Sequence, residues 1–173
     1  TVALLGRTVN NQGSITTPGG TTALASGDKI TLDFQGDGLT TVSIDRATLE
    51  GLIDNGGALL ADGGQVILTA RAATQINLAT VNQGGLVRAD SLVDRGGRIL
   101  LDAGSAGSTN LGGTTQANGS LAGTVGGNIQ ALGQTVKVLD GAQVQASGVA
   151  GGGTILLGGD YQGSVANGVP QAQ

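Results

Sequence analysis

The sequence predicts an all-β chain wound as a parallel β-helix of about six coils. Three observations predict it. An eleven-residue phrase, apolar–Asx/x–Asx/x–x–Gly–x–apolar–x–Ala–x–Gly, is written five times, from Val9, Ile53, Val81, Thr109 and Val138. Inside each copy the apolar positions fall two apart, which is the period of a strand and not of a helix. The third observation is compositional: 34 glycines and only two aromatics, Phe34 and Tyr161, in 173 residues. A globular core of this size is normally built on aromatics, whereas a narrow solenoid core is filled by stacked Val, Ile, Leu, Ala and Thr. The copies start 44, 28, 28 and 29 residues apart, and self-similarity at such a period marks stacked repeats. One unit cannot bury an apolar face alone. Stacked in phase it closes a continuous core, with parallel strands about 4.8 Å from coil to coil.

The elements follow in chain order. Val2-Ala3-Leu4-Leu5-Gly6 matches the second recurring phrase, Gly-Gly-x-apolar/Thr-x-Leu/Ala, without its glycines, so the chain is expected to start inside a coil of a longer protein. The first copy then sets four columns. They are Val9/Ile53/Val81/Thr109/Val138, Gly13/Gly57/Gly85/Gly113/Ala142, Ile15/Leu59/Val87/Thr115/Val144 and Thr17/Ala61/Ala89/Ala117/Ala146. The second phrase follows each copy, from Gly19, Gly63, Gly96, Gly126 and Gly151. It supplies the column Val2, Thr22, Val66, Ile99, Ile129 and Thr154, hence six coils and a rod roughly 25–30 Å long. A third short strand is expected between the second phrase and the next copy, as at Gln134–Val138 and Gln75–Val81. Only between the first and second copies does the rhythm break, over 33–52. There Ile30–Phe34 and Thr40–Ile44 flank Gly36-Asp37-Gly38 and read as a β-hairpin. Asp45 reads as the N-cap of a short helix from Arg46 to Leu52. Outward positions of the second phrase, Ala23, Ile67, Leu100, Gln130 and Ile155, are partly large and apolar, so the extrusion is expected to cover Ile67 and Leu100. The whole chain is read as one domain with this insertion. A leucine-rich repeat would need a Leu consensus and helical returns, and a sandwich would not repeat its columns in register.

Composition narrows the function. Without His there is no imidazole base, and no Ser-His-Asp triad can form. No Cys is present, so there is neither a disulfide framework nor a Cys metal site. Net charge is −4 with no basic cluster, which argues against nucleic-acid and anionic-lipid binding. No apolar run approaches the length that spans a membrane as a helix. Acidic residues are thinly spread. Asp62 and Asp90 share a coil position, at a turn where Asp serves backbone geometry. Calcium-type fragments at Asp33-x-x-x-Asp37-Gly38 and Gly158-Gly159-Asp160 do not repeat and read as turns. Thr-x-Thr does not recur on one face, as an ice-binding array would require. No catalytic, cofactor-binding or metal-ligating residue is therefore assigned, and the chain is not read as an enzyme. The recurring Asx positions, Asn10, Asn55, Asn82 and Asn110 with Asp140, read as a structural ladder of stacked side chains. Asp37, Arg46 and Tyr161 form the candidate interaction surface.

Laid out this way, four stretches resemble the filamentous-haemagglutinin-like exoproteins of Gram-negative bacteria, adhesins exported by two-partner secretion. They are VALLGRTVNNQGSIT from Val2, SGDKITLDFQGDGL from Ser26, IDRATLEGLIDNGGALLADGGQVILTARAA from Ile44 and VNQGGLVRADSLVDRGGRILLDAG from Val81. They cover most of residues 1–104. The resemblance implies a long right-handed parallel β-helix, a secreted or outer-surface location, an outer-membrane β-barrel transporter as partner, and adhesion to a host or biofilm surface glycan or protein. The Asn-Pro-Asn motifs of the family's secretion domain are absent, so the chain resembles the end of that domain plus the first shaft coils. The leading expectation is a structural shaft segment of an adhesin. The alternatives are a glycan- or protein-binding module on the same coils and a self-associating fibre subunit joined end to end.

Overall fold

The computed structural model describes residues 1–34, 39–73 and 79–159. Eighteen strands and no helix make up this part of the chain. They run β1 (Val2–Gly6), β2 (Thr8–Asn11), β3 (Ser14–Thr16), β4 (Thr21–Ser26), β5 (Lys29–Phe34), β6 (Thr40–Arg46), β7 (Leu52–Asn55), β8 (Ala58–Leu60) and β9 (Gln65–Ala70). The later coils add β10 (Thr80–Gln83), β11 (Leu86–Arg88), β12 (Arg98–Asp102), β13 (Ser108–Leu111), β14 (Thr114–Gln116), β15 (Asn128–Leu132), β16 (Thr135–Val138), β17 (Gln143–Gln145) and β18 (Thr154–Leu157). Three parallel sheets result. Their orders are β1-β4-β9-β12-β15-β18, β2-β7-β10-β13-β16 and β3-β8-β11-β14-β17. Five successive turns each contribute one strand to each sheet and the first sheet holds a sixth strand, so the described residues form a parallel β-helix of three faces.

The repeated phrase holds two strands, one in the second sheet and one in the third. Val9, Ile53, Val81 and Thr109 are direct partners in the second sheet. Ile15, Leu59, Val87, Thr115 and Val144 are partners in the third. The strand read at Gln134–Val138 is thus the first strand of the fifth copy, β16, and no additional one. Between the two strands lies a two-residue corner. Both of its N–H groups converge on a carbonyl one coil back: Gly84 and Gly85 on Asn55 at 2.9 and 2.9 Å, Gly112 and Gly113 on Gln83 at 2.8 and 3.0 Å. This close approach explains the glycine column. A Cβ at Gly85 would overlap the carbonyl oxygen of Gly57, and one at Gly64 that of Gly20.

Inside, the columns close a single core. Leu24, Leu68, Leu101 and Ala131 stack in register, as do Val66, Ile99 and Ile129. Ala61, Ala89 and Ala117 are fully buried where the chain turns into the first sheet. Each buried Val, Leu or Ile is worth about 1.5–3 kcal/mol, and the contribution recurs with every coil.

Three expectations are corrected. In the fifth copy Val136, not Val138, stands beneath Thr109, and Val138 pairs with Leu111. This corner lacks Gly-Gly and uses a wider turn over Leu139–Ala142, with Gly141 at φ 80°. In the last coil Ile155 pairs with Ile129 and Leu156 with Gln130, so the inward column ends on Ile155 and not on Thr154. Gly152 and Gly153 are its corner pair, one residue later than the phrase suggested; Gly153 N–H donates to Ala146 O at 2.7 Å. The helix from Arg46 to Leu52 does not form. Thr48 N–H donates to Arg71 O at 3.2 Å and Thr48 O accepts from Ala73 N–H at 2.7 Å. A neighbouring segment thus takes up the backbone groups a helix would need. Asp45, expected as its cap, instead accepts from Thr31 Oγ1 at 2.6 Å. Over the interrupted rhythm, β5 and β6 pair antiparallel, with Ile30 opposite Ile44 and Phe34 opposite Thr40.

Candidate functional site

Three polar ladders run along the coils, and they differ from the single ladder expected. The first is buried. Asn11 Nδ2 donates to Asn55 Oδ1 at 2.7 Å, and Asn55 Nδ2 to Gln83 Oε1 at 2.7 Å. Gln83 Nε2 closes the column on Gly85 O at 2.9 Å and Thr114 O at 3.0 Å. The next position is the apolar Leu111. Asn10, Asp54, Asn82 and Asn110 form the second ladder, on the outer face. There Asn110 Nδ2 donates to Asn82 Oδ1 at 2.9 Å. Asn55 therefore belongs to the inner column, and Asn10, Asn82 and Asn110 to the outer one. Asp140 belongs to neither; it is exposed in the widened fifth corner.

The third ladder joins Asp62, Asp90 and Asn118. Each side-chain oxygen accepts the backbone N–H of the equivalent residue one coil on: Asp90 N–H to Asp62 at 3.1 Å, Asn118 N–H to Asp90 at 2.7 Å, Ser147 N–H to Asn118 at 2.8 Å. The stacking read for Asp62 and Asp90 is thus present, in a turn role. Residues two positions earlier add to it. Arg88 binds Asp62 through Nε at 3.0 Å and Nη2 at 2.7 Å, and Gln116 Nε2 binds Asp90 at 2.8 Å. The Asp62 hydrogen bond raises the Arg88 pKa above its ordinary value. Sequence reading missed Gln83 and Asn118 because Gln and Asn here alternate with other types along each column, so residue identity gives no repeat.

A groove of about 280 Å³ lies on the outer face of the first sheet, beside β6. Its floor is Ile67 and Leu100, neighbours on β9 and β12. Ile67 is only 7% exposed although its side chain points out of the coil. One wall is β6 itself, from Thr40 to Ile44. The start of β6 is fixed to the coils: Thr40 N–H donates to Thr21 Oγ1 at 2.9 Å, and Gln65 Nε2 donates to Thr40 O at 2.7 Å. At the far end Arg71 clamps Asp102 through Nη2–Oδ2 at 2.6 Å and Nη1–O at 3.1 Å. The guanidinium of Arg98, at the near end, makes no hydrogen bond or ion pair among the described residues.

Of the candidate interaction surface, Arg46 ends β6, exposed, with its Nε 3.9 Å from Asp28 Oδ2. Asp37 and Tyr161 lie outside the described residues. Among the described residues no three acidic side chains cluster so as to hold a metal ion. No family model matches the chain, and no curated protein matches it either.

Proposed function

We propose that this chain is a structural shaft segment of a secreted or cell-surface bacterial adhesin, a rod that holds an adhesive part away from its anchor. The observation that carries the reading is the in-register stacking of the coils in three parallel sheets around one apolar core, with polar ladders along part of the length. Each coil is hydrogen-bonded to the next through the backbone of the three sheets, and the ladders add side-chain bonds at several steps, so a pull along the axis is shared by many bonds at each step. The resemblance of residues 1–104 to exoproteins of two-partner secretion supports the adhesin context, with an outer-membrane β-barrel transporter as export partner and a surface glycan or protein as the target of the parent molecule. The chemistry of the faces supports a spacer over an enzyme: the aspartates that come together are engaged by turn N–H groups, Arg88 and Gln116.

Stretching single molecules tethered at both ends tests the proposal. A shaft gives a series of force peaks, each releasing about one coil of chain. Unfolding in one step at low force would contradict it. In parallel, the isolated segment on a glycan array is expected to give no reproducible signal, and consistent hits would favour a binding module instead.

A further inference from the structure

We propose that the groove beside β6 receives an extended segment of another polypeptide, which adds as a third strand to β5 and β6. Four observations converge on this. First, among the described residues β6 has a strand on one edge only. Second, its other edge faces the groove. Five consecutive residues, Thr40 to Ile44, line it, whereas a strand presenting one face would contribute only alternate side chains. The hydrogen bonds of Thr40 set the phase. Its N–H and C=O point away from β5, to Thr21 and Gln65. By the alternation of an antiparallel pair, the N–H and C=O of Val42 and Ile44 point the same way. These are the groups that an incoming strand would use.

Third, the floor suits a pleated strand. Ile67 and Leu100 lie side by side beneath the open edge, and the outer face continues over Gln130 on β15. Alternate apolar side chains of a bound segment would rest on Leu100 while its backbone lay one strand spacing from β6, about 4.8 Å. Fourth, the charge is unbalanced. Asp102 is already bound by Arg71, which leaves the guanidinium of Arg98 at the other end of the floor without a partner among the described residues. The occupant is therefore an extended segment with apolar residues at alternate positions and a carboxylate at the end that reaches Arg98. Thr41, Ser43 and Thr69 are also among the lining residues, so an acidic sugar is the competing occupant. A sugar, however, does not account for a groove built along a strand edge.

A phage-displayed library of random octapeptides, panned on the intact chain and counter-selected on Arg98→Glu, tests the inference. Selected peptides are expected to alternate apolar residues and to carry Asp or Glu toward one end. They should lose about tenfold in affinity on Arg98→Glu, and should slow hydrogen exchange at the Val42 and Ile44 amides. The same peptide N-methylated on the pairing edge should not bind the wild-type chain, a comparison that needs no variant to fold. Failure to enrich peptides over the Arg98→Glu chain overturns the inference. So does undiminished binding of the N-methylated peptide, or unchanged exchange at Val42 and Ile44. Oligogalacturonate that binds in an Arg98-dependent way without protecting those amides would assign the groove to a glycan instead.

Discussion

Asn55 occupies the middle of a buried column, where its amide accepts from Asn11 and donates to Gln83. Truncating it to Ala leaves the Gln83 carbonyl oxygen without its donor and removes the acceptor of Asn11. Such stranding costs about 1–3 kcal/mol per buried group. Asn55→Ala is therefore expected to lower the urea midpoint markedly. The triple change of Asn11, Asn55 and Gln83 to Leu should cost less, because it leaves no amide stranded and Leu111 already fills the same column. A triple variant weaker than the single one would contradict the ladder's energetics. Two threonines give a second contrast. Thr115 is fully buried in a column otherwise made of Ile15, Leu59, Val87 and Val144, and its hydroxyl has no partner among the described residues. Thr109 Oγ1, equally buried, donates to Leu132 O at 2.6 Å. Thr115→Val should raise stability by about 1 kcal/mol and Thr109→Val should lower it by a similar amount, as read by chemical denaturation. At this scale the sequence was legible where one residue type recurs, as in the Gly and Ala columns. It was ambiguous where two Asx residues are adjacent. Neighbours on a strand face opposite ways, and nothing in Asn10-Asn11 or Asp54-Asn55 says which one points inward.

At the scale of elements, the strands of the coils followed from period-two patterning, while the residues after β6 did not. Asp45-Arg46-Ala47-Thr48 carries helix-start chemistry, but the competing partners are remote in sequence: Thr31 for the carboxylate, Arg71 and Ala73 for the Thr48 backbone. Local propensity yields to such pairing. The fifth corner was misread for a related reason: Val138 continues the apolar pattern, but a corner without Gly-Gly needs a longer turn, and the strand shifts by two. The pair β5–β6 also carries a pH signature. Asp45 has its pKa lowered, first by the Thr31 hydrogen bond, against an opposing effect of desolvation, and further by Lys29 and Ser43. A depressed folded-state pKa means the stabilisation is present above the ordinary value of 3.8 and is lost as the pH falls through the folded value. Amides of Thr31 and Ser43, opposite one another in the pair, are expected to lose protection selectively below that range. In Asp45→Asn the acid step should disappear. Equal protection at both ends of the range in the wild-type chain would show that Asp45 does not hold the pair.

For the whole molecule, the central claim is that each coil is an interchangeable unit stacked in register on the next. The number of coils was legible because side-chain columns repeat. The groove was not, since it forms between β6 and two coils whose residues are far away in the chain. Ser108 and Thr135 are register partners, so excising residues 108–134 joins Gly107 to Thr135 and removes one coil. Gln145 and Ser147 then take the places of Gln116 and Asn118 beside Asp90, and the groove is untouched. Because the chain has no native Cys, spin labels at Ala3→Cys and Leu156→Cys report the length directly. These positions share one outward column of the first sheet and are five strand spacings apart. Pulsed electron paramagnetic resonance is expected to give a narrow distance near ~24 Å for the full chain and near ~19 Å after the excision. A distance that does not shorten by one spacing, or a broad distribution in the excised chain, would contradict the stacked-coil account.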